Sequence, residues 1–200
     1  MADLSFFQPR DTQQLAERIF STAIDGLYYV DSPVHADERG FYRETALIPD
    51  LSAVIGRQFV VKQLNHARSE RHVIRGFHAE NWHKLVTITH GTALCVLVDI
   101  RQESPTYLQK EYIKLGIDPQ DQSVLSGSLF ISAGIANSVC VMAAPVDYIY
   151  AVDQLYRERD TSFDQAISIF DPELAIEWPI PREQIIQSER DKNAVLIKEL

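Results

Sequence analysis

The chain is poor in the residues that carry metal and redox chemistry. It has two cysteines, Cys95 and Cys140, each inside an apolar run, Leu94-Cys95-Val96 and Val139-Cys140-Val141. Both read as small buried hydrophobes, and neither a disulfide framework nor a zinc site is expected. Histidines stand at His35, His66, His72, His78, His83 and His90, and none follows. Small metal-binding barrels bring two histidines one residue apart, a nearby glutamate and a third histidine from a later strand. Here His78-Ala79-Glu80 lacks the second histidine and the late ligand is missing, so a site built from His78, Glu80 and His83 is not expected, and no metal is assigned. No glycine-rich phosphate loop, no serine in a nucleophile elbow and no membrane-spanning apolar run is present. Positive charge is short too: 19 Lys and Arg against 28 Asp and Glu leave a net charge of -9. That argues against nucleic acid or an anionic membrane as partner, while allowing one local basic pocket. The first residues lack a basic stretch leading into an apolar core, so no signal peptide is expected and cytoplasm is the expected compartment.

What the chain does have is β-strand pattern. Helical periodicity is confined to the start, where Leu15, Ile19 and Ala23 share one face and predict a short amphipathic helix over 11–24, ended by Asp25-Gly26. From Leu27-Tyr28-Tyr29-Val30 onward almost none is seen up to Ile169. Strands are expected at 59–66, 73–78, 107–115, 128–132, 136–142 and 147–152. Residues 84–89 and 92–100 read as a hairpin turning at His90-Gly91. Many short strands at regular spacing imply an antiparallel sandwich or barrel. The tail from Asp171-Pro172 through Trp178-Pro179-Ile180-Pro181 reads as extended, with a short helix near 182–186.

Chemistry concentrates in Val73-Ile74-Arg75-Gly76-Phe77-His78. His78 can take or give a proton near neutral pH, and Arg75 is suited to hold a phosphate. Gly76 lets the backbone come close to something. Gln63 and Asn65 share one strand face and could read a sugar or a base, although an exposed polar face explains them as well. Arg39 and Glu44 flank a charged turn. The acid–base candidates are His78, Lys84, Tyr148, Tyr150, Tyr156 and Asp171. A histidine backed by an aspartate, a lysine against a developing oxyanion and a tyrosine on the opposite wall would together epimerise a carbon beside a ketone.

Laid out in order, these residues resemble the dTDP-4-dehydrorhamnose 3,5-epimerase family. The matching motifs are Asp37-Glu38-Arg39-Gly40-Phe41 with Glu44; Phe59-Val60 with Gln63, Asn65 and His66; the strand ending in His78; Lys84-Leu85-Val86, Gly91 and Val98-Asp99-Ile100-Arg101 with Ser104-Pro105-Thr106; and Asp171-Pro172, Ile176-Glu177-Trp178-Pro179, Ser188 and Asp191. The resemblance implies an all-β, cupin-like jelly roll (double-stranded β-helix) over 27–200, with residues 1–26 as an N-terminal extension carrying the short helix. It implies a homodimer acting on a nucleotide-diphosphate sugar without a cofactor.

By the same resemblance His78 is the general base, Asp171 its partner, Lys84 the residue at the keto oxygen and Tyr150 the acid on the far face. Tyr156 stacks on the nucleotide base, and Arg39, Glu44, Gln63, Asn65 and Arg75 bind substrate. Asn137 stands where the family carries a histidine, and keeps hydrogen bonding but not charge. The loop from His78 to Lys84 is shorter than usual and holds Trp82 and His83, and Phe170 replaces an asparagine before Asp171. These departures alter the pocket wall and imply a different sugar or epimerisation at one carbon. The rival readings are a keto-isomerase on the same fold and a nucleotide-sugar binding protein without turnover.

Overall fold

The computed structural model describes residues 5–200. Two long strands organise it: β8, Lys84–Asp99, and β11, Ile135–Val152. They run antiparallel and pair along almost their whole length, from Lys84 opposite Val152 to Asp99 opposite Ile135. Both bend midway, so each belongs to two sheets. The first half of β8 joins the second half of β11, flanked by β10 (Ser128–Ile131) and β6 (Gln63–Ser69). Beyond β10 follow β3 (Leu27–Val30), β2 (Ile19–Ser21) and β1 (Gln14–Ala16). The remaining halves join β9 (Lys110–Gly116), β7 (Ile74–Ala79) and β12 (Gln165–Ala166). A separate hairpin, β4 (His35–Asp37) with β5 (Gly40–Tyr42), stands outside these sheets.

The expected jelly roll is therefore present, but the hairpin expected at His90-Gly91 is not. Residues 84–99 are one bent strand whose halves pair with β11 rather than with each other. Gly91 makes the bend possible. Its φ is +72°, and a Cβ there would lie 2.3 Å from the Pro145 carbonyl oxygen, which admits no side chain.

Alternation along the strands sorts side chains into three layers. Val86, Ile88, Cys95, Leu97, Val139 and Val141 fill the space between the sheets. Leu94, Val96, Ala136 and Cys140 face outward and are covered by the C-terminal tail through Ile169, Leu174 and Ile197. Leu85, Phe130 and Ala151 face the other way and are covered by α1, Ile48–Val54, through Leu51. Both cysteines are buried, as expected.

The helix expected over 11–24 is absent. A 3-10 turn, Asp11–Gln13, leads instead into the β1–β2 hairpin. Pairing of β2 with β3 buries Ile19 against Leu51 and Phe130, whereas Leu15, on the expected helix face, is left exposed. Tertiary pairing outweighs the weak helical period. In the tail, 182–184 form a 3-10 turn, and the helical segment comes later, at α2, Glu189–Lys192. No helix of the described residues is long and apolar enough to cross a membrane.

Candidate active site

Between the two sheets lies a cleft of about 200 Å³. Strand β7 sends Arg75 and His78 into it, β8 Lys84 and Val86, and β11 Asn137 and Val139 from one half and Tyr148 and Tyr150 from the other. Arg75 and His78 are three residues apart and would face opposite sides of an unbroken strand. Here the register against β11 slips by one between them, with His78 opposite Asn137 and Arg75 opposite Val139, so both turn inward. Gly76 occupies the slip at φ +103°, and a Cβ there would lie 2.4 Å from the Asn137 carbonyl oxygen.

The carboxylate behind His78 is Asp191, with Oδ1 2.6 Å from His78 Nε2. Asp191 sits on α2, and its backbone N–H donates to the Ser188 hydroxyl oxygen (3.1 Å). Burial pushes the Asp191 carboxyl up, but the hydrogen bond and charge of His78 outweigh it and hold the group below its ordinary value. An ionised Asp191 accepts a hydrogen bond from Nε2–H and leaves Nδ1 as the nitrogen able to act as base.

Asp171, expected in that position, is elsewhere. Its Oδ1 accepts from the backbone N–H groups of Glu173 (2.8 Å) and Leu174 (3.1 Å), and its Oδ2 from Ile197 (2.6 Å). Both oxygens are taken up in folding the tail onto the sheet, which leaves neither for His78.

Lys84 is buried in the cleft wall. Its Nζ donates to Asn137 Oδ1 (2.6 Å) and pairs with Glu80. Burial and the Glu80 charge raise Tyr150, opposed by Arg75, so its phenol holds its proton through neutral pH. Burial likewise pushes neighbouring Tyr148 up to about 12, and the two rings stack at 5.8 Å. At the mouth, Tyr156 lies 6.2 Å from Trp82, and the Arg159 guanidinium sits 3.7 Å over the Tyr156 ring. The exposed Tyr156 ring, backed by buried Trp82, suits a planar base.

The other expected positions divide. Arg75 lines the cleft and is braced by the Ser69 hydroxyl (2.8 Å) and the Arg68 carbonyl (2.9 Å). Gln63 and Asn65 hydrogen-bond each other (2.6 Å), and Gln63 Oε1 accepts from the Tyr156 backbone N–H (2.8 Å), so they hold the aromatic layer. Arg39 and Glu44 do not line the cleft of this chain. Arg39 pairs with Asp37 on the separate hairpin and Glu44 with Arg18. Arg190 lines the cleft without having been singled out by any sequence pattern, and Val86 and Val139, read only as parts of apolar runs or motifs, line it too. Among the described residues no group of three His, Cys, Asp or Glu side chains could hold a metal ion.

The family model for dTDP-4-dehydrorhamnose 3,5-epimerase matches residues 21–199. The chain belongs to that family. A dTDP-4-dehydrorhamnose 3,5-epimerase of Streptomyces griseus is 31% identical over 89% of this chain and 86% of its own length. A dTDP-4-dehydrorhamnose 3-epimerase of Streptomyces niveus is 29% identical over 91% and 84%. Among solved structures, a 4-keto-6-deoxy sugar epimerase from the novobiocin cluster of Streptomyces spheroides superposes with TM-score 0.81 at 29% identity, covering 98% of this chain and 93% of its own. A dTDP-6-deoxy-D-glucose-3,5-epimerase of Legionella pneumophila in complex with dTDP-4-keto-L-rhamnose gives 0.76 at 31%, covering 90% and 92%. The cupin-like fold of the epimerase family is thus the fold of this chain.

Two substitutions separate the roles of the aspartates. Asp191→Asn should leave the melting temperature near native and cut turnover on the order of 100-fold or more, because the imidazole loses the charge that fixes its tautomer. Asp171→Asn should instead cost about 1–3 kcal/mol of stability, by denaturant unfolding, with turnover near native. The opposite pattern would return Asp171 to the site.

Proposed function

We propose that the chain epimerises a nucleotide-activated 4-keto-6-deoxysugar, of the dTDP-linked class named for its relatives, by proton transfer through an enolate. The observation that carries this reading is the division of the cleft between the sheets. His78, backed by Asp191 from α2, stands on one sheet, Tyr150 on the other, and Lys84 lines the same space. A ketone acidifies the hydrogens on its neighbouring carbons. His78 Nδ1 takes one of them, the electron pair moves onto the keto oxygen beside the Lys84 ammonium, and the Tyr150 hydroxyl returns a proton to the opposite face of the carbon. Tyr150 regains its proton from solvent and His78 gives its own up, so no net proton is consumed. Arg75 holds the diphosphate, and the Tyr156 layer takes the base. Every proton in this scheme moves between protein groups, substrate and water, and the enzyme is assigned no cofactor. Inversion at both carbons beside the ketone and inversion at one are both compatible with this reading, and Asn137, neutral where the family carries histidine, is the departure in the pocket wall that bears on the choice.

Substrate in heavy water tests the scheme. His78→Asn should stop deuterium entry and product formation together. Tyr150→Phe should let deuterium enter while epimer formation falls by roughly 100-fold. Native exchange in His78→Asn would sink the mechanism, and a keto-isomerase would betray itself by a shifted carbonyl in the product.

The active form is a cytoplasmic homodimer in this reading. Strand β6 pairs with β11 on one side, and Leu64 on it is 69% exposed, while the β4–β5 hairpin shows Phe41 and Tyr42 at 55% and 64%. A second copy covering an open strand edge and these apolar side chains is what an antiparallel sandwich needs. It would also explain why Arg39 and Glu44 lie away from their own cleft. Light scattering should give twice the 22.8 kDa chain mass; a monomer at working concentration would contradict the assembly.

A further inference from the structure

The turn from β7 to β8 is short, Glu80-Asn81-Trp82-His83, and it is fastened at three points. The Glu80 carbonyl accepts from the Gly134 N–H (3.0 Å) and the Asn81 carbonyl from Gln154 Nε2 (2.8 Å). Asp153 accepts from the His83 backbone N–H (2.9 Å) and contacts its Nδ1 (3.0 Å). So held, the turn folds the Glu80 carboxylate back onto the Lys84 ammonium. The two side chains are 11% and 7% exposed. None of the roles described above uses Glu80.

Its surroundings give it one. The other ionisable groups lining the cleft with Lys84 are Arg75 and His78 from β7, Tyr148 and Tyr150 from β11, Tyr156 at the mouth and Arg190 from α2. Among the described residues lining the cleft, Glu80 is the one carboxylate. A lysine ammonium withdrawn from water needs a counter-charge to be held in one place. Asn137 cannot supply the counter-charge, because its amide is neutral. Its hydrogen bond to Lys84 does fix the amide orientation, with Oδ1 toward Nζ and the N–H pair left to donate elsewhere.

We propose that Glu80 is a positioning residue of this cleft: it pairs with the Lys84 ammonium and, with Asn137 Oδ1 as second anchor, aims it at the developing enolate oxygen. The proposal rests on the functional reading above for the oxygen, and on geometry alone for the pairing.

Two arms test it, one without turnover. In the first, intact native protein and Glu80→Gln are treated with acetic anhydride, and modification is followed peptide by peptide by mass spectrometry. Lys84 should acetylate on the order of ten-fold faster in the variant, with Lys198 unchanged as internal reference. An unchanged rate at Lys84 overturns the proposal whatever the reaction turns out to be. In the second arm, Glu80→Gln should lower kcat roughly 10–100-fold with KM within about two-fold. The same change made on top of Lys84→Met should have no further effect, because the partner through which Glu80 acts is gone. Additive losses would mean that Glu80 acts by itself and would also overturn the proposal. If Glu80→Gln does not fold, Glu80→Asp, with its carboxylate one methylene farther back, should give an intermediate labelling rate, and a native rate would count against the pairing. Failure of the native chain to exchange substrate hydrogen would remove the functional reading and leave the labelling arm to decide the pairing.

Discussion

β8 and β11 hydrogen-bond to each other from one sheet, through their bends, into the other. This pairing brings the chemistry together. A strand that stays in one sheet offers its inward side chains to one wall of a sandwich. A strand that crosses offers them to both walls, so β11 alone contributes Asn137 on one side and Tyr150 on the other. β8 begins at the cleft with Lys84 and continues into the core as Ile88, Cys95 and Leu97. The bends need glycine where backbone meets backbone, and Gly91 meets that need against the Ala143 and Pro145 carbonyls. The placement of His78 and Tyr150 on facing sheets follows from topology.

Three basic side chains at and beside the cleft have carboxylate partners. His78 is backed by Asp191, Lys84 by Glu80, and Arg159 by Asp164 at 2.8 Å. Outside it, buried Asp99 is held at about 2: burial raises it, but hydrogen bonds from Arg101, Ser104 and Thr106 outweigh that. Within the cleft Arg75 differs, held by the neutral Ser69 hydroxyl and Arg68 carbonyl rather than by a carboxylate. The tail contributes more than covering. It packs over the outer face of the β7 sheet through Ile169, Leu174 and Ile197, and carries Asp191 to His78.

Much of the site could be read from the sequence because it is local. His78 and Arg75 lie on one strand around Gly76, Lys84 opens the next, and Tyr150 ends an alternating run. The partner of His78 could not be read this way, since it lies 113 residues along the chain. Asp171 and Asp191 are both tail aspartates in matching motifs, and only packing decides which meets the imidazole and which ties down backbone N–H groups. His90-Gly91 reads as a turn because a glycine that bends a strand and one that closes a hairpin look alike. The difference lies in whether 84–89 pairs with 92–99 or with a strand that begins at Ile135. The helix expected over 11–24 failed likewise, since the Leu15, Ile19, Ala23 spacing contains no information about β3 waiting beside Ile19. Glu80 was considered only as a metal ligand, because its pairing with Lys84 depends on how tightly the intervening turn is held.

The central claim is that a keto sugar lies between His78 on one sheet and Tyr150 on the other. A crystal structure with a bound dTDP-linked deoxysugar measures this most directly. The account predicts the sugar ring between these two residues, its C4 oxygen within hydrogen-bonding distance of Lys84 Nζ and its diphosphate against Arg75. A sugar bound outside the cleft, or with His78 and Tyr150 on the same face of the ring, would contradict it.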